Sequence, residues 1–279
     1  MFRHLEGKVA VITGGAGIIC SAIARGLSMS GIRTAIVDIN EAAANEVAGK
    51  ITEESGCPSA GIAADVLNRA SLDEACSKIT SRFGKVDFLI NGAGGNSPKA
   101  TTALEQITPD DAGNIRDTFF GLDPEGFDWI FALNFKGTLL PTLVFGSDMV
   151  RRGEGVILNI SSMNSFRPLT KIPAYSAAKA SVNNFTQWLA VHLAKTGVRV
   201  NAIAPGFFLT NQNRFLLIDE KSGKPTKRGE KIIANTPMGR YGQVEELTGV
   251  TLFLLSDLSK FITGVVIPVD GGYSAYGGV

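Results

Sequence analysis

Short apolar, β-branched runs recur along the chain at Lys8–Ile12, Thr34–Asp38, Ala60–Ala64, Val86–Ile90, Gly155–Ile160 and Gly197–Ala204, with a closing run over Thr263–Val269. Longer segments with apolar residues at helical spacing separate them. One passes through Ile19, Ile23, Ala24 and Leu27 and stops at Gly31. Others cover Glu41–Ser55 and Ser71–Phe83, where Ser71 and Glu74 have capping-box spacing. A further helix contains Trp129–Gly137, and the last starts near Tyr175 and runs through Val182, Phe185, Leu189 and Leu193. Six or seven strands alternating with helices predict an α/β protein built on a doubly wound parallel sheet. The 279 residues suit one large domain, 1–279. Two polar, Gly/Pro-punctuated stretches, about 96–128 and 211–237, exceed what such a sheet needs and are expected as insertions covering the substrate side.

Composition changes this picture mainly by exclusion. Apolar residues make up 44 % of the chain, and the net charge of +1 gives no electrostatic case for nucleic acid or an anionic membrane surface. The N-terminus has no signal-peptide core, and no apolar run reaches membrane-spanning length. Cys20, Cys57 and Cys76 are too few and too scattered for a disulfide framework or a metal cage, so no metal site is expected. They fit a reducing cytoplasm.

Chemistry is concentrated at strand ends. The turn Thr13-Gly14-Gly15-Ala16-Gly17 lies between the first strand and a helix, the order of a dinucleotide phosphate site. Glycines let backbone N–H groups approach a pyrophosphate, and the helix N-terminus adds its positive end. The second strand ends at Asp38, placed to accept from both ribose hydroxyls of an adenosine. A 2′-phosphate would meet like charge there, and no Arg or Lys lies within 14–20, which favours NAD over NADP. The fifth strand ends at Ser161-Ser162, and Tyr175 and Lys179 follow at i and i+4 on one helix face. A phenol of pKa near ~10 is a poor acid–base group at neutral pH. A neighbouring ammonium would favour its phenolate, and a serine hydroxyl would hold the reacting oxygen.

Ser162, thirteen residues before Tyr175, together with Tyr175 and Lys179 resembles the active site of the short-chain dehydrogenase/reductase family. The likeness covers nearly the whole chain and implies a single Rossmann domain and reversible hydride transfer between a nicotinamide cofactor and an alcohol/carbonyl pair. It also implies a catalytic Asn134. Cofactor contacts would come from Gly14, Gly15, Gly17, Ile18, Ile19, Asp38, Asp65, Val66, Asn91, Gly92, Ala93, Tyr175, Lys179, Pro205, Gly206, Phe208 and Thr210. Three positions depart from the family pattern: Ile18 and Cys20 stand where the second and third glycines of the turn are usual, and Gly92 replaces an asparagine. Family members commonly form tetramers through two long central helices and the closing strand, so a homotetramer is expected.

Asn164, Arg167 and Lys171, with Asn211, Gln212, Asn213 and Arg214, give the substrate side a polar, cationic character that suits a polyhydroxylated acid. Arg167, Lys171 and Arg214 are the candidate carboxylate ligands. The runs 162–175 and 204–215 and the altered glycine turn resemble a bacterial subgroup assigned as D-mannonate oxidoreductases (fructuronate reductases). A reductase of 5-keto-D-gluconate or a sugar alcohol, a non-catalytic NAD-binding regulator and a structural oligomer subunit are the alternatives.

Overall fold

The computed structural model describes residues 2–209, 214–220 and 222–278. Seven strands, β1 Val9–Thr13, β2 Arg33–Asp38, β3 Ser59–Ala63, β4 Phe88–Asn91, β5 Gly155–Ile160, β6 Val198–Pro205 and β7 Val266–Val269, form one parallel sheet in the order β3-β2-β1-β4-β5-β6-β7. The helices are α1 Ile18–Ser28, α2 Glu41–Ser55, α3 Arg69–Phe83, α4 Pro124–Phe131, α5 Gly137–Arg152, α6 Pro173–Leu193, α7 Arg214–Leu217, α8 Lys227–Ala234 and α9 Glu246–Leu255.

Successive strand residues face opposite layers, so each strand must be apolar on both sides. Ile12, Ile36, Ile90, Leu158 and Ile203 pack under α1, α2 and α9 with Ile23, Leu27, Ile51 and Leu254. Val11, Val37, Leu89, Ile157 and Val200 pack on the other face with Leu72, Ile79, Phe145, Met149 and Leu189 of α3, α5 and α6. Each such side chain contributes roughly 1.5–3 kcal/mol on burial. This is the single-domain Rossmann-like architecture that the alternating pattern predicts.

The chain reverses direction across the sheet between β1 and β4, where Thr13 lies opposite Asn91, and Asn91 lies opposite Asn159 of β5. Such a switch point opens a crevice beyond the carboxyl ends of the strands. The glycine turn, the loop after β4 and the Ser161-Ser162 pair meet at that crevice.

Two local expectations change. Helix α3 starts two residues early, capped by Asn68, whose Oδ1 accepts from Ser71 N at 3.2 Å. The Ser71/Glu74 capping box therefore does not form: Ser71 Oγ accepts from Asp65 N, and Glu74 pairs with Lys78. The helical stretch Pro109–Arg152, unlike anything visible as a continuous apolar run, passes a length-and-hydropathy test for a bilayer span. Half of its apolar window is buried against the sheet, as in a core helix.

The 96–128 segment folds as short 3-10 turns (Pro98–Ala100, Pro109–Asp117, Phe119–Gly121) leading into α4. It is tied to the second insertion by Lys231 Nζ–Glu105 Oε2 at 2.5 Å, and to the loop before α6 by Thr102 N donating to Lys171 O at 2.8 Å.

Candidate active site

Close packing explains why the turn after β1 needs its first two glycines. A Cβ on Gly14, whose φ is +60°, would lie 2.7 Å from Ala93 Cα, and one on Gly15 would lie 2.8 Å from both Ile12 O and Ile36 Cγ2. Gly17 is exposed and opens α1, with no side chain capping the helix. The first amides of α1 are thus left for an anion. Ile18 and Ile19 are half-buried just inside that turn. Asp38 closes on the same turn: its Oδ2 accepts from Ala16 N at 3.1 Å and its Oδ1 from Asn40 N at 3.1 Å. A pyrophosphate cradle with a carboxylate beside it fits the dinucleotide that the sequence calls for.

The departures at Cys20 and Gly92 belong together. A Cβ on Gly92 would lie 2.1 Å from Cys20 Sγ, so the thiol occupies the space that a side chain at 92 would need. Burial pushes that thiol up to about 12, against the opposing charge of Lys179, which makes it a filler rather than a nucleophile. Asp65 Oδ1 accepts from Leu67 N, and Val66 is buried beside Gly137.

The Asn91 side chain turns into the core. Its Nδ2 donates to Thr142 Oγ1 (3.0 Å) and Asn159 Oδ1 (2.9 Å), and Asn159 Nδ2 donates on to Thr186. This buried chain binds β4 and β5 to α5 and α6, and leaves only the backbone of Asn91 facing the crevice with Gly92 and Ala93.

Asn134 sits fully buried in a π-helical turn, Ala132–Lys136, between α4 and α5. Such turns hold an extra residue and recur at functional sites. Its Nδ2 donates to Gly95 O (2.8 Å) and Ile130 O (2.9 Å), and its Oδ1 accepts from Gly95 N (3.2 Å). The amide thereby fixes the loop after β4. A Cβ on Gly94 would lie 2.7 Å from Asn134 Oδ1 and 3.2 Å from Lys179 Nζ, so a bare glycine separates the two.

The two serines after β5 divide their work. Ser161 Oγ donates to Asn183 Oδ1 at 2.5 Å, while Asn183 Nδ2 donates to Ser165, stapling the strand end to α6. Ser162 Oγ accepts from Asn164 N at 3.3 Å and acts on the nearby Tyr175 phenol, favouring its charged form. Lys179 is 4 % exposed, donates to Ile160 O at 2.8 Å, and has its ammonium 5.8 Å from the Tyr175 ring centre.

Burial raises the Tyr175 phenol above its ordinary value, with only the Ser162 hydroxyl opposing it. Burial also brings the Lys179 ammonium down to about 8. Loss of hydration disfavours the charged form of each group.

Pro205 and Gly206 end β6 against the chain beyond β7; a Cβ on Gly206 would lie 2.6 Å from Asp270 Cα. Phe208 is buried against Gly242. Thr210, Asn211, Gln212 and Asn213 lie outside the described residues.

The substrate candidates are treated unequally. Asn164 is buried beside Ser162, and its Oδ1 has no hydrogen-bond partner. Lys171 has φ +74°, the one non-glycine residue in left-handed conformation among the described residues, and lies four residues before Tyr175. Arg214 is exposed at the start of α7. Arg167 Nη1 donates to the carbonyls of Tyr276 and Tyr273, so its guanidinium also ties the C-terminal segment to the loop after β5. The Asn183 staple and the Tyr273 contacts with Arg167 and Phe207 are not legible in the sequence, because their partners lie far away in it.

Comparison with known proteins bears on this geometry. A family model described as enoyl-(acyl carrier protein) reductase matches residues 15–274. The chain belongs to the short-chain dehydrogenase/reductase family. An uncharacterised oxidoreductase of Haemophilus influenzae is 51 % identical over 278 residues, covering 99 % of this chain and 96 % of that one. The uncharacterised oxidoreductase UxuB of Bacillus subtilis is 50 % identical over 280 residues, covering 100 % and 99 %. Among solved structures, a candidate D-mannonate oxidoreductase of Haemophilus influenzae with bound NAD superposes at TM-score 0.92, with 51 % identity and 99 % and 98 % coverage. Membership makes this short-chain dehydrogenase/reductase an enzyme, a nicotinamide-dependent oxidoreductase.

Proposed function

We propose that this enzyme interconverts a ketone and a secondary alcohol on a sugar acid, with D-fructuronate and D-mannonate as the pair, and uses NAD in preference to NADP. The observation that carries the chemistry is the convergence of Ser162, Tyr175 and Lys179 on the crevice edge that also presents the glycine turn and Asp38. The substrate class draws on the 51 %-identical candidate D-mannonate oxidoreductase and on a gluconate 5-dehydrogenase of Burkholderia cenocepacia in complex with NADP and tartrate, 31 % identical at TM-score 0.81.

Gly14, Gly15 and the open amides of α1 would hold the pyrophosphate, Asp38 the adenosine ribose, and the backbone around Gly92, Ala93, Pro205 and Gly206 the nicotinamide end. Asp65 and Val66 would flank the adenine and Phe208 the nicotinamide end; Thr210, outside the described residues, is the residue that the family resemblance assigns to the carboxamide. When bound, the nicotinamide ring supplies or accepts the hydride. In reduction, Ser162 Oγ donates a hydrogen bond to the substrate carbonyl oxygen. Tyr175 gives its proton to that oxygen as hydride reaches the carbon; in oxidation its phenolate takes the proton back. Lys179, held at Ile160 O, would bind the ribose of the nicotinamide, and Asn134 keeps the loop after β4 in place.

Around this centre, Asn164, Lys171 and Arg214 remain the candidates for substrate contacts. The three cysteines are free thiols, consistent with a cytoplasmic enzyme. The enzyme is further proposed to be a homotetramer, on the strength of its apolar outer faces.

The deciding experiment follows NADH oxidation with D-fructuronate, 5-keto-D-gluconate and a neutral ketose in parallel. Turnover confined to fructuronate is expected. Faster turnover of either other substrate, or none with all three while NADH still binds, overturns the substrate assignment and leaves the family chemistry standing.

A further inference from the structure

Beyond β7 the chain does not leave the molecule. Asp270 turns it: Oδ1 accepts from Gly272 N (2.9 Å) and Oδ2 from Ser274 N (2.8 Å), with Gly271 and Gly272 at φ +64° and +89°. The segment then reaches Arg167, whose guanidinium donates to the backbone carbonyls of Tyr273 and Tyr276. Arg167 belongs to the loop after β5, and β5, β6 and β7 are successive neighbours in the sheet. A chain joining the end of β7 to the loop after β5 crosses two strand spacings, about 10 Å. It therefore passes over the end of β6, where Pro205 and Gly206 lie. The Tyr273 ring meets Phe207, the next residue, edge-on at 5.2 Å and 69°.

Tyr273 thus stands between two segments that border the Ser162–Tyr175 centre, the end of β6 and the loop carrying Arg167. Arg167 and Lys231 both act on its half-buried phenol, opposing the upward effect of burial. From this arrangement we propose that residues 270–278 form a strap over the substrate side, fastened by Arg167, and that Tyr273 is a specificity-determining residue whose hydroxyl contacts the substrate. Arg167 is then a positioning residue, acting through the strap. The role of Tyr273 rests on the reading of the crevice as a sugar-acid site; the strap itself does not.

Two measurements test this on the full-length enzyme. Carboxypeptidase trimming followed by mass spectrometry is expected to stop short of Tyr276 in the wild type and to run through Tyr273 in Arg167→Ala. Equal trimming overturns the strap, whatever substrate the enzyme accepts. In steady-state assays with D-fructuronate and NADH, Tyr273→Phe and Arg167→Ala are each expected to raise the ketone KM roughly tenfold, about 1.4 kcal/mol. The KM for NADH should not change, and the double variant should be no worse than the poorer single one. Multiplying effects with unchanged trimming would show Arg167 binding the substrate itself, and an unchanged KM in Tyr273→Phe removes the hydroxyl from the site. If no sugar acid is turned over, the substrate assignment fails while trimming still decides the strap.

Discussion

Cys20 and Gly92 show how much a pair of residues can conceal when read separately. In the sequence they are two unrelated departures from a family pattern, 20 and 92. In the fold the thiol fills the volume that a side chain at 92 would take. Gly92→Ala is expected to destabilise by roughly 1–3 kcal/mol, the usual range for overpacking. Cys20→Gly in the same chain should recover part of that loss, and the Thr13 carbonyl, 2.9 Å from the added Cβ, keeps recovery incomplete. Additive changes in thermal midpoint would show that the two positions are independent. Asp38 poses a simpler question, since its carboxylate already holds the glycine turn through Ala16 N. Asp38→Ala should lower the ratio of kcat/KM for NAD over NADP by about tenfold or more, equivalent to about 1.4 kcal/mol; an unchanged ratio would remove Asp38 from ribose recognition. Lys179 carries a sign that the sequence could not supply. Its pKa is about 8 in the folded protein against a reference of 10.5, so between these values the unfolded chain binds the extra proton and folding grows more favourable as pH rises. Below pH 8 both states are protonated and the burial penalty is fully present. Relative to Lys179→Met, the wild type should therefore gain a few kcal/mol of stability from pH 8 to 10.5. Parallel denaturation curves at both pH values would overturn this.

At the scale of elements, the sequence exposes what is periodic or local and hides what is assembled. Strand runs, the glycine turn and the Tyr175/Lys179 face are visible because their partners lie within a few residues or follow a fixed spacing. The Asn91–Asn159–Thr186 chain, the Asn68 cap in place of Ser71, and the partners of Arg167 depend on segments brought together only by the sheet order. The insertions illustrate the same point. Each reads as a separate surface elaboration, yet Glu105 from the first pairs with Lys231 from the second, and Lys171 beside the catalytic helix adds its charge to the same carboxylate. One ion pair thus links the two insertions. Glu105→Gln should raise the ketone KM a few-fold without changing the thermal midpoint or the KM for NADH. Because the pair is exposed, salt near 1 M should bring the wild-type KM toward that of the variant, as the screening length shrinks to about 3 Å. A KM indifferent to both changes would mean that the insertions cover the site separately.

The whole molecule presents two apolar surfaces that its own core covers only in part. Phe135 of the π-helical turn and Phe185, Trp188 and His192 of α6 form a continuous ring ladder, with Trp188 58 % and Val191 80 % exposed. At the far edge of the sheet, β7 is only partly covered, and Phe261 just before it is fully exposed. An open edge strand and a large apolar patch are both liabilities in a lone chain. The proposed homotetramer would use both: if each face pairs with its own copy about a two-fold axis, the result is a closed tetramer of dihedral symmetry. Disrupting one face should then leave a dimer held by the other. Light scattering is expected to give four chains for the wild type, two for Trp188→Glu with Val191→Asp, two for Phe261→Asp, and one for the combination. Because residues on α6 pack against the catalytic strand on the opposite side of the helix, the α6 dimer-breaking variant should also lose activity in step with its thermal midpoint, whereas Phe261→Asp should not. A wild-type monomer, or a tetramer that survives both sets of substitutions, would overturn the assembly.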